Sequence, residues 1–329
     1  MADNMLKLSI SNTEDADMRE VTASLRLETN RELIEKADLG KTRQKCRLCG
    51  AEGNFQTWRG IENYLGIRDE FDYFICPECE TMQITEIPEN IKKYYPSNYY
   101  SFYPPAIEPV RFGAVRDNRT ILDVGAGSGA WLCYLATLGC VNLFGCDPYI
   151  HNDLTYSNGV TVKKCTIHEM EGTYDVIHMG DTFEHLADPH EVFKTLDRLL
   201  KKEGEYGEAP KIEISMPVFP NSVFDIYGPY WFQMDPPRHI IIHSKKSIQM
   251  LADRYGFRIE NISYDNTGSP YIISRLYQFE VPFGQWNQRY QFDSLFAGLR
   301  KQDAHISALG QIASLTGQSD HAVFTLVRK

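Results

Sequence analysis

Apolar residues cluster in short runs at near-regular intervals along the second half of the chain. Seven of them read as strands: Thr120–Val124, Asn142–Pro148, Gly159–Cys165, Tyr174–Gly180, Lys211–Pro217, Phe257–Tyr264 and His321–Arg328. They are too short for helices, and glycine or proline lies at or near most of their ends. Between them the period changes from two to 3.6. Trp131, Leu132, Leu135 and Leu138 mark a helix over Ala130–Leu138. Val192, Phe193, Leu196, Leu199 and Leu200 mark another, with Asp188 as N-cap, Pro189 at its first position and Glu191 completing a capping box. Ile248, Leu251, Ala252 and Tyr255 mark a third, capped by Ser244 and followed by Gly256. Strands alternating with helices predict an α/β fold, a Rossmann-like doubly wound sheet of about seven strands.

The first half reads differently. Residues 1–44 are charged, with sparse apolar positions. They predict a partly ordered arm in which 13–37 form a helix through Met18, Val21, Leu25 and Leu33. Residues 45–86 hold two C-x-x-C pairs, Cys46/Cys49 and Cys76/Cys79, and resemble a zinc ribbon. Four thiolates suit tetrahedral Zn2+ and leave no open position, so the expected metal is structural. Residues 87–110 are a tyrosine- and proline-rich linker. Tyr95, Tyr99 and Tyr100 either pack the ribbon against the larger domain or reach the substrate side of a pocket. The larger domain spans 111–329, with an insertion at 265–320 expected to be a lid, a substrate wall or a homodimer contact.

Composition narrows the function classes. The chain has 329 residues, 43% of them hydrophobic, enough for a substantial core. Net charge is −10, which argues against a nucleic-acid surface, because phosphate contact calls for clustered Lys and Arg. No apolar run approaches a membrane span, and the acidic start resembles neither a secretory nor a transit signal. A cytoplasmic location is expected. The other cysteines (Cys133, Cys140, Cys146, Cys165) lie in apolar segments and read as small core residues.

The chemistry concentrates after the first α/β strand. Gly125, Gly127 and Gly129 form a tight turn between strand and helix, where a ligand can approach backbone closely. Asp147 ends the next strand about twenty residues on, where a carboxylate can take ribose hydroxyls. Taken alone, the turn also fits a dinucleotide. Asp123, inside the glycine strand, suits a cationic ligand instead.

Ile121–Gly129, Asp147 and Phe183–Pro189 together resemble the class I S-adenosylmethionine-dependent methyltransferases. The branch most similar carries a cysteine knuckle pair and a Tyr-Tyr linker. It includes sugar C-methyltransferases and enzymes of capsule and lipopolysaccharide modification. The resemblance spans about 45–329. It implies that Asp123, Gly125, Ala126, Gly127 and Gly129 hold the methionine part of S-adenosyl-L-methionine. By the same carry-over, Asp147 holds the ribose, Thr166 and Ile167 flank the adenine, and Met179 and Gly180 border the sulfonium.

The expected substrate is a small polar molecule, such as a sugar nucleotide or a precursor of a surface glycan or secondary metabolite. His239, in a loop rich in aromatic residues, is the expected base, and Asp181 the second catalytic candidate. Glu184, His185 and Tyr230 are candidates on the substrate side. The chain departs from the sugar C-methyltransferases in one respect. Their His-Glu-His type element is Pro237-Arg238-His239 here, which weakens a C-methylation reading and leaves O- or N-methylation open. The competing classes are an NAD-type oxidoreductase and a non-catalytic, partner-binding methyltransferase-like protein.

Overall fold

The computed structural model describes residues 31–96, 99–204, 207–265, 267–283 and 304–329. The first part of the expected arm lies outside the described residues. From residue 31 the chain is already ordered structure: α1 (Arg31–Ala37), then β1 (Asp38–Lys45). β1 escapes an apolar pattern because it is an edge strand, exposed or half-buried along its whole length. It continues antiparallel into β2 (Glu52–Ile61), β3 (Glu70–Ile75) and β4 (Met82–Ile84). The cysteine-bearing module is therefore a sheet that starts before residue 45.

The α/β part follows the predicted order. It comprises β5 (Asp117–Val124), α2 (Ala130–Thr137), β6 (Cys140–Cys146), β7 (Leu154–Thr155), β8 (Thr161–Lys163), β9 (Val176–Gly180), α3 (Pro189–Leu199) and β10 (Lys211–Pro217). Then come α4 (Ser222–Tyr227), β11 (Ile241–Ile242), α5 (Lys245–Arg254), β12 (Phe257–Tyr264), α6 (Ser269–Gln278), α7 (Ala304–Thr316) and β13 (His321–Arg328). The main sheet runs β12-β13-β10-β9-β5-β6-β8-β7. β8, β6, β5, β9 and β10 are parallel, and β13 inserts antiparallel between β10 and β12. The sheet has eight strands rather than seven because the short β7 pairs antiparallel on the edge beside β8. The antiparallel pair of β13 and β12 closes the other edge where a dinucleotide fold would begin its second half.

Helix ends obey local chemistry. The Asp188 side chain accepts the N–H groups of His190 and Glu191 and caps α3. Glu191 does not complete a capping box; its carboxylate pairs with Lys194 on the helix surface. At α5 the box forms between Ser244 and Ser247.

β11, from the loop after β10, is the fifth strand of the cysteine-bearing sheet and pairs with β4. One hydrophobic core joins Leu48, Phe55 and Phe74 of that sheet to Leu122, Ile177, Phe193 and Ile214 of the main domain. The two regions therefore share a core rather than meeting across a linker. The linker does pack them as well: Tyr94 donates to Asp69, meets the edge of Phe71 and accepts at its carbonyl from Arg238 of the larger domain. Cys133 and Cys146 are buried as expected, while Cys140 and Cys165 are half-buried. No helix among the described residues is long and apolar enough to cross a membrane.

Candidate active site

The site lies at the carboxyl ends of β5, β6, β9 and β10, where a doubly wound sheet binds ligands. Gly125, Gly127 and Gly129 have φ of +76°, +52° and +78°, a region that side chains disfavour. Contacts add to that requirement. A Cβ on Gly125 would lie 2.2 Å from Thr182 Oγ1, and one on Gly127 2.4 Å from the Ser101 carbonyl. The glycine turn is thus pressed between the linker and the segment after β9. Ser128 reinforces the linker contact, its N–H donating to Ser101 O and its hydroxyl to Tyr103 O.

Asp147 is buried at the end of β6. Its carboxylate accepts the N–H groups of Gly127 (3.0 Å) and Tyr149 (2.8 Å). Burial raises its pKa, opposed by these backbone donors. Asp123 is buried too, and it is not free to face a ligand alone. His178 on β9 stands directly opposite in register and bonds to Asp123 Oδ1 at 2.8 Å, while the Trp131 indole stacks on the imidazole. The donor set fits an S-adenosylmethionine pocket, with a carboxylate near the end of each of two adjacent strands and a glycine-rich turn between.

The other cofactor candidates divide. Ala126 abuts Gly145 of β6, where an added Cβ would meet it at 2.8 Å. Thr166 caps a single turn with Glu169, and the Ile167 and Met179 side chains belong to the main core. Only the backbone of Met179 is available to a ligand at the strand end. Gly180 is fixed by its neighbours, accepting the Thr182 hydroxyl and leaving 2.8 Å between an added Cβ and the His178 ring.

Beside this turn is a cavity of about 260 Å³. Asp181, His185, Asp235, His239 and His321 supply its polar lining, and Tyr64, Tyr99, Phe232 and Phe283 much of the aromatic remainder. Asp181, His185, His239 and Tyr99 therefore line one cavity. Tyr95 sits behind them, its hydroxyl 3.2 Å from His185 Nδ1 and its ring stacked on Tyr149. The Tyr100 side chain lies outside the described part. Tyr230 does not reach the cavity; it is buried in the second core with Tyr227 and Trp231. Glu184 lies beneath the lining, fully buried, and burial followed by the Asp181 charge pushes its pKa well above the carboxylate range.

His239 is held on two sides. Its Nδ1 is 2.7 Å from the Gln233 carbonyl, so that nitrogen carries the proton and Nε2 the lone pair. Nε2 lies 3.7 Å from both Glu184 Oε1 and Asp235 Oδ2. Burial depresses the ring to about 4, so it is neutral near pH 7. His321, at the start of β13, bonds through Nε2 to Asp181 Oδ1 at 2.9 Å. Desolvation opposes its charge, but the Asp181 carboxylate outweighs that and raises the ring above its ordinary value.

The cysteine-bearing sheet buttresses this pocket. Tyr73 of β3 donates its hydroxyl to the His239 carbonyl at 2.7 Å. Arg238, with no exposed surface, bonds Asp235, Glu62 (3.2 Å) and the Tyr94 carbonyl (3.2 Å) and lies over the Tyr64 ring. The four cysteine sulfurs lie within 4.8 Å of one another, with Cys46–Cys79 and Cys49–Cys76 at 3.5 Å. Ligand bonds of ~2.3 Å to a tetrahedral ion put sulfurs just under about 4 Å apart, so the cluster fits zinc. Each knuckle turns through a left-handed residue, Gly50 in one and Glu80 in the other.

Residues 99–262 match the family described as "Methyltransferase domain". No curated sequence is significantly similar. Among solved structures, the chain resembles magnesium protoporphyrin IX methyltransferase from Synechocystis with bound S-adenosylmethionine. That match has 13% identity and TM-score 0.35, over 64% of this chain and 71% of that one. Coclaurine N-methyltransferase matches at 16% identity and TM-score 0.38, over 65% and 68%. A cyclopropane synthase from Mycobacterium tuberculosis matches at 13% identity and TM-score 0.41, over 65% and 79%. The family match falls on the region that holds the glycine turn, Asp147 and most of the pocket, and it marks residues 99–262 as a methyltransferase domain.

Proposed function

We propose that this enzyme methylates a small polar acceptor held in the cavity beside the glycine turn. The observation that carries the reading is the pocket itself: about 260 Å³, aromatic walls, and five ionisable side chains. That volume lies just below the ~300–1,000 Å³ usual for ligand sites and suits a single ring, such as the sugar of a sugar nucleotide. Aromatic faces with a few fixed polar groups are also what a sugar or a metabolite precursor needs. The absence of the Glu next to His239 keeps O- or N-methylation ahead of C-methylation.

When bound, the cofactor supplies a methyl group on a sulfonium for in-line displacement. Asp147 is the residue to take the ribose, and the glycine turn accommodates the methionine end. The chain's own task is to align the acceptor atom and take its proton. We assign the proton to the His321–Asp181 pair. Asp181 fixes the ring through Nε2, which leaves Nδ1 as the basic nitrogen once the ring is neutral. His239 is less suited, because its lone-pair nitrogen lies between the Glu184 and Asp235 carboxyls at 3.7 Å from each. The cysteine cluster is assigned a structural zinc ion.

The test is transfer from methyl-labelled S-adenosylmethionine to a panel of nucleoside diphosphate sugars and small amines and alcohols, read by mass spectrometry. Product heavier by one methylene from a small acceptor supports the reading. Label found only on protein or nucleic acid overturns it.

A further inference from the structure

Glu184 is a fully buried carboxylate beneath the pocket lining, and the proposed reaction does not use it. Both of its oxygens are buried, and neither has a hydrogen-bond partner among the described residues. Burying such a group unpaired is costly, and protein interiors avoid it unless something compensates.

Two imidazoles surround it in a fixed state. His185 Nδ1 is 2.8 Å from the Arg238 carbonyl, and His239 Nδ1 is 2.7 Å from the Gln233 carbonyl. A carbonyl only accepts, so both Nδ1 atoms carry hydrogen and both Nε2 atoms carry lone pairs. Those lone-pair nitrogens lie 4.0 Å and 3.7 Å from the same Glu184 Oε1. Both distances are too long for hydrogen bonds. They are the separation of two ligands on one ion, since bonds of ~2.1 Å put donor atoms about 3–4 Å apart. The candidate donor atoms all lie within 4.8 Å of one another. The backbone holds them there: Ile240 N–H donates to Glu184 O at 2.8 Å, and Tyr73 pins the His239 carbonyl.

We propose that Glu184, His185 and His239 bind a divalent first-row transition-metal ion at the floor of the acceptor pocket. Two neutral imidazoles and one carboxylate are a donor set for such ions, and three ligands leave positions open. His185 and His239 both line the cavity, so the open positions face the acceptor. A cation there orients an acceptor oxygen and makes its proton easier to remove by the His321–Asp181 pair. This role rests on the acceptor reading above; the metal site itself does not. The competing occupant is a proton on Glu184.

The test uses full-length protein with its cysteine cluster loaded with zinc and loosely bound metal removed. Mn2+ is titrated in, with free ion followed by its paramagnetic resonance signal, and Co2+ is followed by absorption. The expected result is one Mn2+ per chain beyond the zinc, and Co2+ bands without thiolate charge transfer. Glu184→Gln and His239→Gln each weaken binding at least tenfold while keeping the cluster zinc. If either variant loses that zinc, His185→Gln takes its place. No binding of either ion to the unaltered protein overturns the proposal, as does binding equal in all variants. Metal binding without S-adenosylhomocysteine binding would sink the methyltransferase reading and leave the metal site standing.

Discussion

Arg238→Met separates two views of how the cysteine-bearing sheet is attached. Methionine keeps the apolar stem but removes the guanidinium. In the native chain that group has no exposed surface and serves Asp235 on two nitrogens, Glu62 and the Tyr94 carbonyl. Glu62 is fully buried, and Asp235 keeps 13% of its side-chain exposure. Glu62 retains the N–H groups of Leu65 and Ile67, so its loop persists without the cation. Two carboxylates are then left buried without a counter-charge. Removing one partner from a buried pair costs about 3–5 kcal/mol, a large fraction of the ~5–15 kcal/mol that holds a domain folded. Arg59→Met is the internal control. That arginine pairs with Asp72 and Glu70 but is 40% exposed, and the expected loss is below about 1 kcal/mol. The assay is urea denaturation of both variants at several pH values. Burial opposes the Asp235 charge, but Arg238 outweighs it and holds the carboxyl below its ordinary value. Without Arg238 that carboxyl takes up a proton more readily, so the Arg238→Met deficit narrows as pH falls from 8 towards ~5. Equal losses in the two variants, or a deficit that widens on acidification, would refute this account of the junction.

Three further outcomes are expected. Cys76→Ser removes one equivalent of bound zinc by metal analysis and destabilises the chain cooperatively, because the knuckles share the main core. Gly127→Ala lowers stability and weakens cofactor binding together, since its Cβ would fall 2.4 Å from Ser101 O at a φ of +52°; unchanged calorimetric affinity would contradict the close approach. The pH at which kcat/KM rises lies above the ordinary histidine value, and Asp181→Asn moves that limb to lower pH. By linkage, the stability from the His321–Asp181 pair is fully present below the unfolded histidine value and is lost as pH rises through the folded one.

Seven of the eight strands of the main sheet were legible because each lies in an apolar run with punctuation at its ends, and the glycine turn because its three glycines are required by sterics. β1 was not legible, since an exposed edge strand has no apolar stripe to show. β7 and β11 are two residues long, and pairing rather than sequence makes them strands. The cysteine spacing announced a metal cluster but not its second service, the bracing of the His239 loop through Tyr73 and Arg238. An arginine after Pro236-Pro237 reads as a solvated loop residue until its partners from distant elements are known. His178 could have been found. Asp123 and His178 each stand two residues before a strand-ending glycine, Gly125 and Gly180, which places them level on adjacent parallel strands. His321 opens a strand 140 residues after Asp181, and only the antiparallel insertion of β13 beside β10 brings the two together.

The central claim is that the glycine turn and Asp147 form an S-adenosylmethionine site. Its most direct test is calorimetric titration of the zinc-loaded protein with S-adenosylhomocysteine, with NADH as the control ligand. Saturable binding of one equivalent is expected, weakened roughly ten- to hundredfold in Asp147→Ala, the worth of hydrogen bonds to a charged group. Binding of NADH in its place, or affinity for S-adenosylhomocysteine unchanged by Asp147→Ala, would contradict the account.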